Sequence, residues 1–508
     1  MSITINTEKA TKKLHNFWNN IHFHPTDAIE DEWGQRILDE VSHEKAAQTV
    51  RMYAMLEDIV TEKDGKLHYD FTENDVRLDY MTKKGFRILL CYAFVPPFLA
   101  TNNELKSSVS KNKTRYKGKM IVNSYPKDYS VWQEICKEYT KHIINRYGFD
   151  TVSTWLLQCY NEPDHSAFFM MEADEGNDRN GAALVRAREY KKLYKGFSQG
   201  IDEACKELGF SEKLYIGGPA IASNLVFLEE FLKGVSEKDY RINYISGHTY
   251  GTHPPLLLSG EKPLAVENNV NVYENMYELT KKHLPDAKIV LDEWGACSAG
   301  FANKDDVPQL MYRETEMFAT YFGKLITHLV DIDAKIANLS ICLSGQHEMT
   351  EDFSGFRNFF SLNFIKKPIY NAYVLAGKLG DLLLNHTETP ENMTLLATKN
   401  DDGKCVLLFT YSSKYFDKKL PEITEKITLE GLKGKRKVTV FKIDDENINP
   451  YRVFCNKGYA PDLTENQICE LREVAQCKPY EIFETDSDEN TEFFVTMKNN
   501  SLLLCEIE

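Results

Sequence analysis

An α/β fold, a closed (β/α)8 barrel followed by an antiparallel β-sandwich, is what this sequence predicts, on three observations. Eight short apolar stretches alternate with eight helical ones over residues 14–384, the grammar of a parallel barrel. Over residues 385–508 the long helical periods stop and short strands follow one another. Two barrel strands also run out into a glutamate, Glu162 and Glu293, at the end of the strand where barrel enzymes do chemistry.

The elements follow in order. Ile3 and Ile5 alternate with polar residues and suit a strand that completes the C-terminal sheet. Barrel strand one is expected over 19–24, stopped by Pro25, with a helix over 32–46. Strand two is placed at 49–55 and its helix at 75–84, where Thr72 and Asp75 resemble a capping box. Strand three, 86–94, closes at Pro96-Pro97, and a lysine-rich loop over 102–128 leads to a helix at 129–147 that Gly148 ends. Strand four occupies 153–160 and precedes an acidic loop and a helix over 182–208. Strands five to eight are expected at 214–218, 242–250, 288–294 and 339–344, with helices near 224–235, 271–283, 309–326 and 368–384. Seven short strands, with no long helix between them, make up the sandwich.

Composition narrows the function. The 508 residues include 61 basic and 76 acidic side chains, and a net charge of −15 argues against nucleic acid or an anionic membrane as partner. The first nine residues hold no apolar run fit for a signal peptide, and no later stretch suits a membrane span. Eleven scattered cysteines without a C-x-x-C pair suggest reduced thiols and a cytoplasmic protein.

The chemistry rests on the two strand ends. Strand four is apolar up to Tyr160, then meets Asn161-Glu162 and is halted by Pro163. Strand seven repeats the pattern with Ile289-Val290-Leu291 ahead of Asp292-Glu293-Trp294. Two carboxyl groups facing each other across one barrel mouth are what glycoside cleavage requires. One protonates the leaving oxygen, and the other attacks the anomeric carbon or activates water. Successive strand residues face opposite ways, so only one of Asp292 and Glu293 is expected to aim inward, with Asp292 read as structural.

With these two strand ends, several other stretches resemble glycoside hydrolase family 39, the β-xylosidase and α-L-iduronidase family of retaining barrel glycosidases. They include Gly217-Gly218-Pro219-Ala220, Ser246-Gly247-His248-Thr249-Tyr250, Gly355-Phe356 and Lys367-Pro368. The resemblance implies Glu162 as general acid/base and Glu293 as nucleophile. Beside them it places Asn161 on the sugar 2-hydroxyl, Arg51 and Tyr250 as cation and phenol donor near Glu293, and His248 and Glu348 in the sugar subsite. Phe94 and Trp294 are expected to wall the pocket or offer a face to the sugar, and Tyr250 and Phe94 also suit plain core aromatics. His24, on the same strand face as His22, is read as polar lining rather than a metal ligand. No metal and no cofactor is implied. The chain departs from the family pattern at Tyr53, where histidine is usual, at Asp164, where asparagine is usual, and over Ser344-Gly345-Gln346-His347-Glu348, which matches the family segment only loosely. The expected activity is exo-hydrolysis of short oligosaccharides or small carbohydrate glycosides, led by β-xylosides. Arabinosidase, glucosidase and iduronidase-like activities are the alternatives, a non-catalytic carbohydrate-binding barrel is the reading from another class, and a homo-oligomer is left open.

Overall fold

The computed structural model describes residues 2–508 apart from 24–28, 30, 109–119, 237–239, 255–256, 258–263 and 345–348. Eight parallel strands close into a barrel in chain order. Strands one to eight are Asn20–Phe23, Thr49–Tyr53, Arg87–Tyr92, Leu156–Cys159, Ile216–Ile221, Tyr244–Thr252, Lys288–Cys297 and Ile336–Leu343. Nearly every residue of these strands is buried, because the barrel interior covers one face and the helices cover the other.

The helices Glu32–His43, Thr72–Lys83, Tyr129–Tyr147, Arg179–Glu207, Leu225–Ser236, Val266–His283, Glu316–Asp331 and Pro368–Ala376 form the outer ring. Local chemistry sets their ends. Asp128 caps the third by accepting hydrogen bonds from Ser130 and Val131, and Gly148 ends it at φ +81°, where a side chain would be strained. No capping box forms at Thr72. The helix starts there behind Phe71, and the Asp70 carboxylate accepts the Thr72 N–H instead. The helix expected over 309–326 divides into a 3-10 segment, Pro308–Glu314, and a helix that Thr315 caps. The last barrel helix stops at Ala376, because Leu382–His386 is already a strand of the next sheet. A hairpin, Val60–Lys63 with Lys66–Tyr69, stands between strand two and its helix.

The C-terminal region is one mixed nine-stranded sheet rather than a purely antiparallel pair of sheets. The order is Glu481–Ser487, Gly434–Ile443, Ser501–Ile507, Cys405–Tyr411, Met393–Lys399, Leu382–His386, Ser2–Lys13, Ile423–Glu430 and Thr491–Met497. Ser2–Lys13 pairs antiparallel with Leu382–His386 and parallel with Ile423–Glu430. The sheet rolls until its two edges meet, with Phe483 of one 6.0 Å from Phe493 of the other. Side-chain alternation divides Cys405–Tyr411 between two cores. Leu407 and Phe409 face the interior of the roll, while Val406 and Leu408 join the barrel core. Two short helices, Pro450–Asn456 and Glu465–Val474, interrupt the strands and seat on the barrel, where Arg452 pairs with Glu316 at 2.6 Å. No helix among the described residues is long and apolar enough to cross a membrane.

Candidate active site

Strand four delivers Asn161 and Glu162 into the barrel mouth through a contorted turn. Tyr160 and Glu162 have φ of +68° and +43°, a region that costs a non-glycine residue of order 1–3 kcal/mol. The Glu162 N–H donates to the Ala220 carbonyl near the end of strand five at 3.0 Å, and Tyr160 donates its hydroxyl proton to the Phe168 carbonyl. These anchors hold the acid at the rim.

Strand seven solves the other half with a bulge. His248 of strand six lies opposite Glu293 while Gly247 lies opposite Leu291, and on the other side Leu291 and Trp294 flank one residue of strand eight fewer than expected. Asp292 is therefore an extra residue, and the alternation expected of a regular strand breaks. Both carboxylates turn inward to Arg51, Asp292 at 3.0 Å and Glu293 at 2.8 Å. Trp294 is driven outward, so its expected place at the sugar is corrected. Its indole stacks against Phe322 and donates to the Tyr373 hydroxyl at 3.0 Å.

Around Glu293 the barrel converges. Arg51 of strand two and the Tyr250 hydroxyl of strand six each donate to it at 2.8 Å, and His22 Nδ1 of strand one lies 3.2 Å away. Burial pushes this carboxyl up, but the charge at His248, His22 and Arg51 outweighs burial and holds it well below the usual carboxylate range. Glu162 Oε1 lies 2.6 Å from His248 Nδ1, and the other ring nitrogen, Nε2, is 3.6 Å from both Glu293 and Asp292. One carboxylate oxygen of Glu162, one of Glu293 and a ring nitrogen of His248 all lie within 4.8 Å of one another. Those donors are close enough to hold a cation, but Arg51 already supplies the positive charge against Glu293.

The two glutamates open on a cavity of about 820 Å³. Arg357, Cys342, Ser344 and Gly300 wall the side near Glu293. His165, Phe168, Arg179 and Ser223 wall the side near Glu162. Glycosyl hydrolases family 39 is the family whose model matches, over residues 1–486. The chain belongs to that family.

A β-xylosidase of Caldicellulosiruptor saccharolyticus is 24% identical over 493 residues, covering 94% of this chain and 92% of its own. The α-L-iduronidase of Canis lupus familiaris is 28% identical over 52% of this chain and 38% of its own. The crystal structure of a monomeric β-xylosidase from Caulobacter crescentus CB15 superposes with a TM-score of 0.80 at 20% identity, covering 100% of this chain and 99% of the other. As a family 39 member, the chain is a retaining glycoside hydrolase.

The remaining family 39 expectations divide. Phe94 does not line the cavity; it is buried behind it, stacked on Tyr53 and on Phe168, which does face the cavity. His24 and Glu348 lie outside the described residues. Two departures from the family pattern have local settings, and the third, over 344–348, lies mostly outside the described residues. Tyr53 is buried with its hydroxyl 3.5 Å from Arg51. Asp164 accepts the backbone N–H groups of Ala222, Ser223 and Asn224, ahead of the helix Leu225–Ser236, a task suited to two carboxylate oxygens. Gln158 and Arg357 escaped the sequence reading. Gln158 accepts from Arg51 and donates to Ser246 and Asp292, each at 2.9 Å, and a lone polar residue inside an apolar strand was its signal. Arg357 donates to the carbonyls of Cys297 and Cys342, and nothing in its local sequence marks that role.

Proposed function

We propose that the chain is an exo-acting β-xylosidase in which Glu293 is the nucleophile and Glu162 the acid/base. The observation that carries this is the approach of the two carboxylates to within 4.8 Å. That approach of one oxygen from each is on the scale of the about 5–5.5 Å between the carboxyl groups of a retaining enzyme, rather than the about 6.5–9.5 Å that admits the water of an inverting one. In the first step a Glu293 oxygen bonds to the anomeric carbon. The bond to the leaving oxygen breaks, and the Glu162 proton passes to that oxygen. In the second, water gives its proton to Glu162, attacks the anomeric carbon and releases Glu293. Asn161 is poised for the sugar. Its carbonyl oxygen accepts from Arg51 at 2.9 Å, so its buried amide nitrogen, unpartnered among the described residues, is the donor left for a hydroxyl. The eleven free cysteines favour a reducing compartment.

A panel of nitrophenyl glycosides with anomeric analysis of the products tests the reading. β-Xyloside turnover with retained configuration is expected. Glu293→Ala should abolish turnover and yield a glycosyl azide of inverted configuration when azide is added, and Glu162→Ala should yield the retained azide. Wild-type rates in Glu293→Ala would refute the assignment.

A second substrate reading, a uronic-acid glycoside, is favoured by Arg357. This guanidinium is buried and lines the cavity, yet among the described residues no carboxylate lies within 4 Å of it. Three of its five N–H groups go to Cys342, Cys297 and the Tyr250 hydroxyl. A sugar carboxylate would take the others, and turnover of uronides in preference to xylosides would select this reading.

A further inference from the structure

We propose that Asp292 is a positioning residue that keeps His248 in its imidazolium form through both chemical steps. The proposal rests on the nucleophile and acid/base reading above. Its basis is the bulge of strand seven, which brings a second, fully buried carboxylate to the same cation pair as the nucleophile.

His248 stands between the two glutamates. Its Nδ1 is 2.6 Å from Glu162 and its Nε2 is 3.6 Å from Glu293. Before reaction the charges in direct contact are Asp292 and Glu293 against Arg51 and His248, with Glu162 carrying the acid proton. Forming the glycosyl ester removes the charge of Glu293, and loss of the proton places a charge on Glu162. The sum over these groups and Glu162 is the same in both states. The mobile anion has crossed from one side of the imidazolium to the other. Asp292 is unchanged throughout, 3.0 Å from Arg51 and 3.6 Å from His248.

Without Asp292, two buried cations would share one mobile anion. Arginine does not release its proton in proteins, so His248 would. A neutral His248 would leave the newly formed Glu162 carboxylate without its counter-charge. The other groups about the imidazole do not replace Asp292. Tyr250 is a phenol, the Cys342 thiol is buried and neutral, and Arg357 adds positive charge from behind Tyr250. Burial alone pulls His248 down. Glu293, Asp292 and Glu162 together outweigh burial and raise it to about 10.

The test combines NMR titration of ring-labelled histidine with kcat/KM against pH. In the wild type the His248 signal should remain that of an imidazolium through pH 8. In Asp292→Asn its midpoint should fall by at least about one pH unit, with the alkaline limb of kcat/KM moving the same way, since one unit is the scale of a single lost charge contact. Asp292→Glu, which restores the charge, should return the limb towards its original place. A neutral His248 at pH 7 in the wild type would overturn the proposal, as would a loss of rate in Asp292→Asn that is equal at every pH. The wild-type titration needs no variant to fold. Failure of the catalytic reading is seen separately, in the azide products of the glutamate variants.

Discussion

At the scale of single residues, the nucleophile is held ionised by donors from several strands, and each is separately removable. Tyr250→Phe deletes one hydrogen bond to Glu293 and leaves the ring in place. Hydrogen bonds to charged groups contribute about 1.5–3 kcal/mol, so kcat/KM should fall about 10- to 150-fold. The sign of the pH effect follows. Glu293 is held well below its ordinary range and stays ionised into acid. Losing a donor raises that carboxyl, so the acid limb of the variant should move towards neutrality; an unmoved limb would show that Tyr250 does not tune it. Glu162 and Glu293 were legible in the sequence because each interrupts an apolar strand with a carboxylate. Asp292 was misread because the reading assumed strict alternation, whereas the bulge turns two successive carboxylates inward to Arg51. Trp294 follows an inward Glu293 and faces outward, as the period of two requires.

At the scale of elements, the close contact of Tyr129–Tyr147 with Arg179–Glu207 depends on glycines. A Cβ at Gly200 would stand 2.4 Å from the Gln133 carbonyl oxygen, and one at Gly196 3.0 Å from the Trp132 ring. Alanine normally favours a helix by about 0.5–1 kcal/mol over glycine. Here the obstacle is backbone, which cannot step aside, and overpacking costs about 1–3 kcal/mol. Gly200→Ala should therefore lower stability on balance, read as a reduced denaturant midpoint with unchanged m; a raised midpoint would mean the helices separate freely. The alternation of strand and helix was plain because periods of 2 and 3.6 differ over long runs. Shorter elements were passed over although their signals were present. Asp64-Gly65, both with positive φ, is a hairpin turn pair. Thr464 and Gln467 make a true capping box before the helix Glu465–Val474.

At the scale of the whole molecule, a strand that precedes the barrel in the chain belongs to the C-terminal sheet. Ser2–Lys13 lies inside the nine-stranded sheet, with Ile3 and Ile5 fully buried in the roll. Its partners come from far along the chain; the alternation at Ile3 and Ile5 marked a strand of this sheet but not which strands it pairs with. Deleting residues 2–13 should leave two unpaired edges and a hole in that core, giving aggregation rather than a free barrel, measured by light scattering and soluble yield. Full solubility with normal turnover would show that the roll closes without it. The same placement orders biosynthesis. Residues 382–386 are made about 370 residues after Ser2–Lys13, and residues 423–430 about 420 residues after it. At about 5–20 residues per second, that is a delay of tens of seconds. A partner fused ahead of this strand would load an element that has to stay vacant until residues 423–430 have been made.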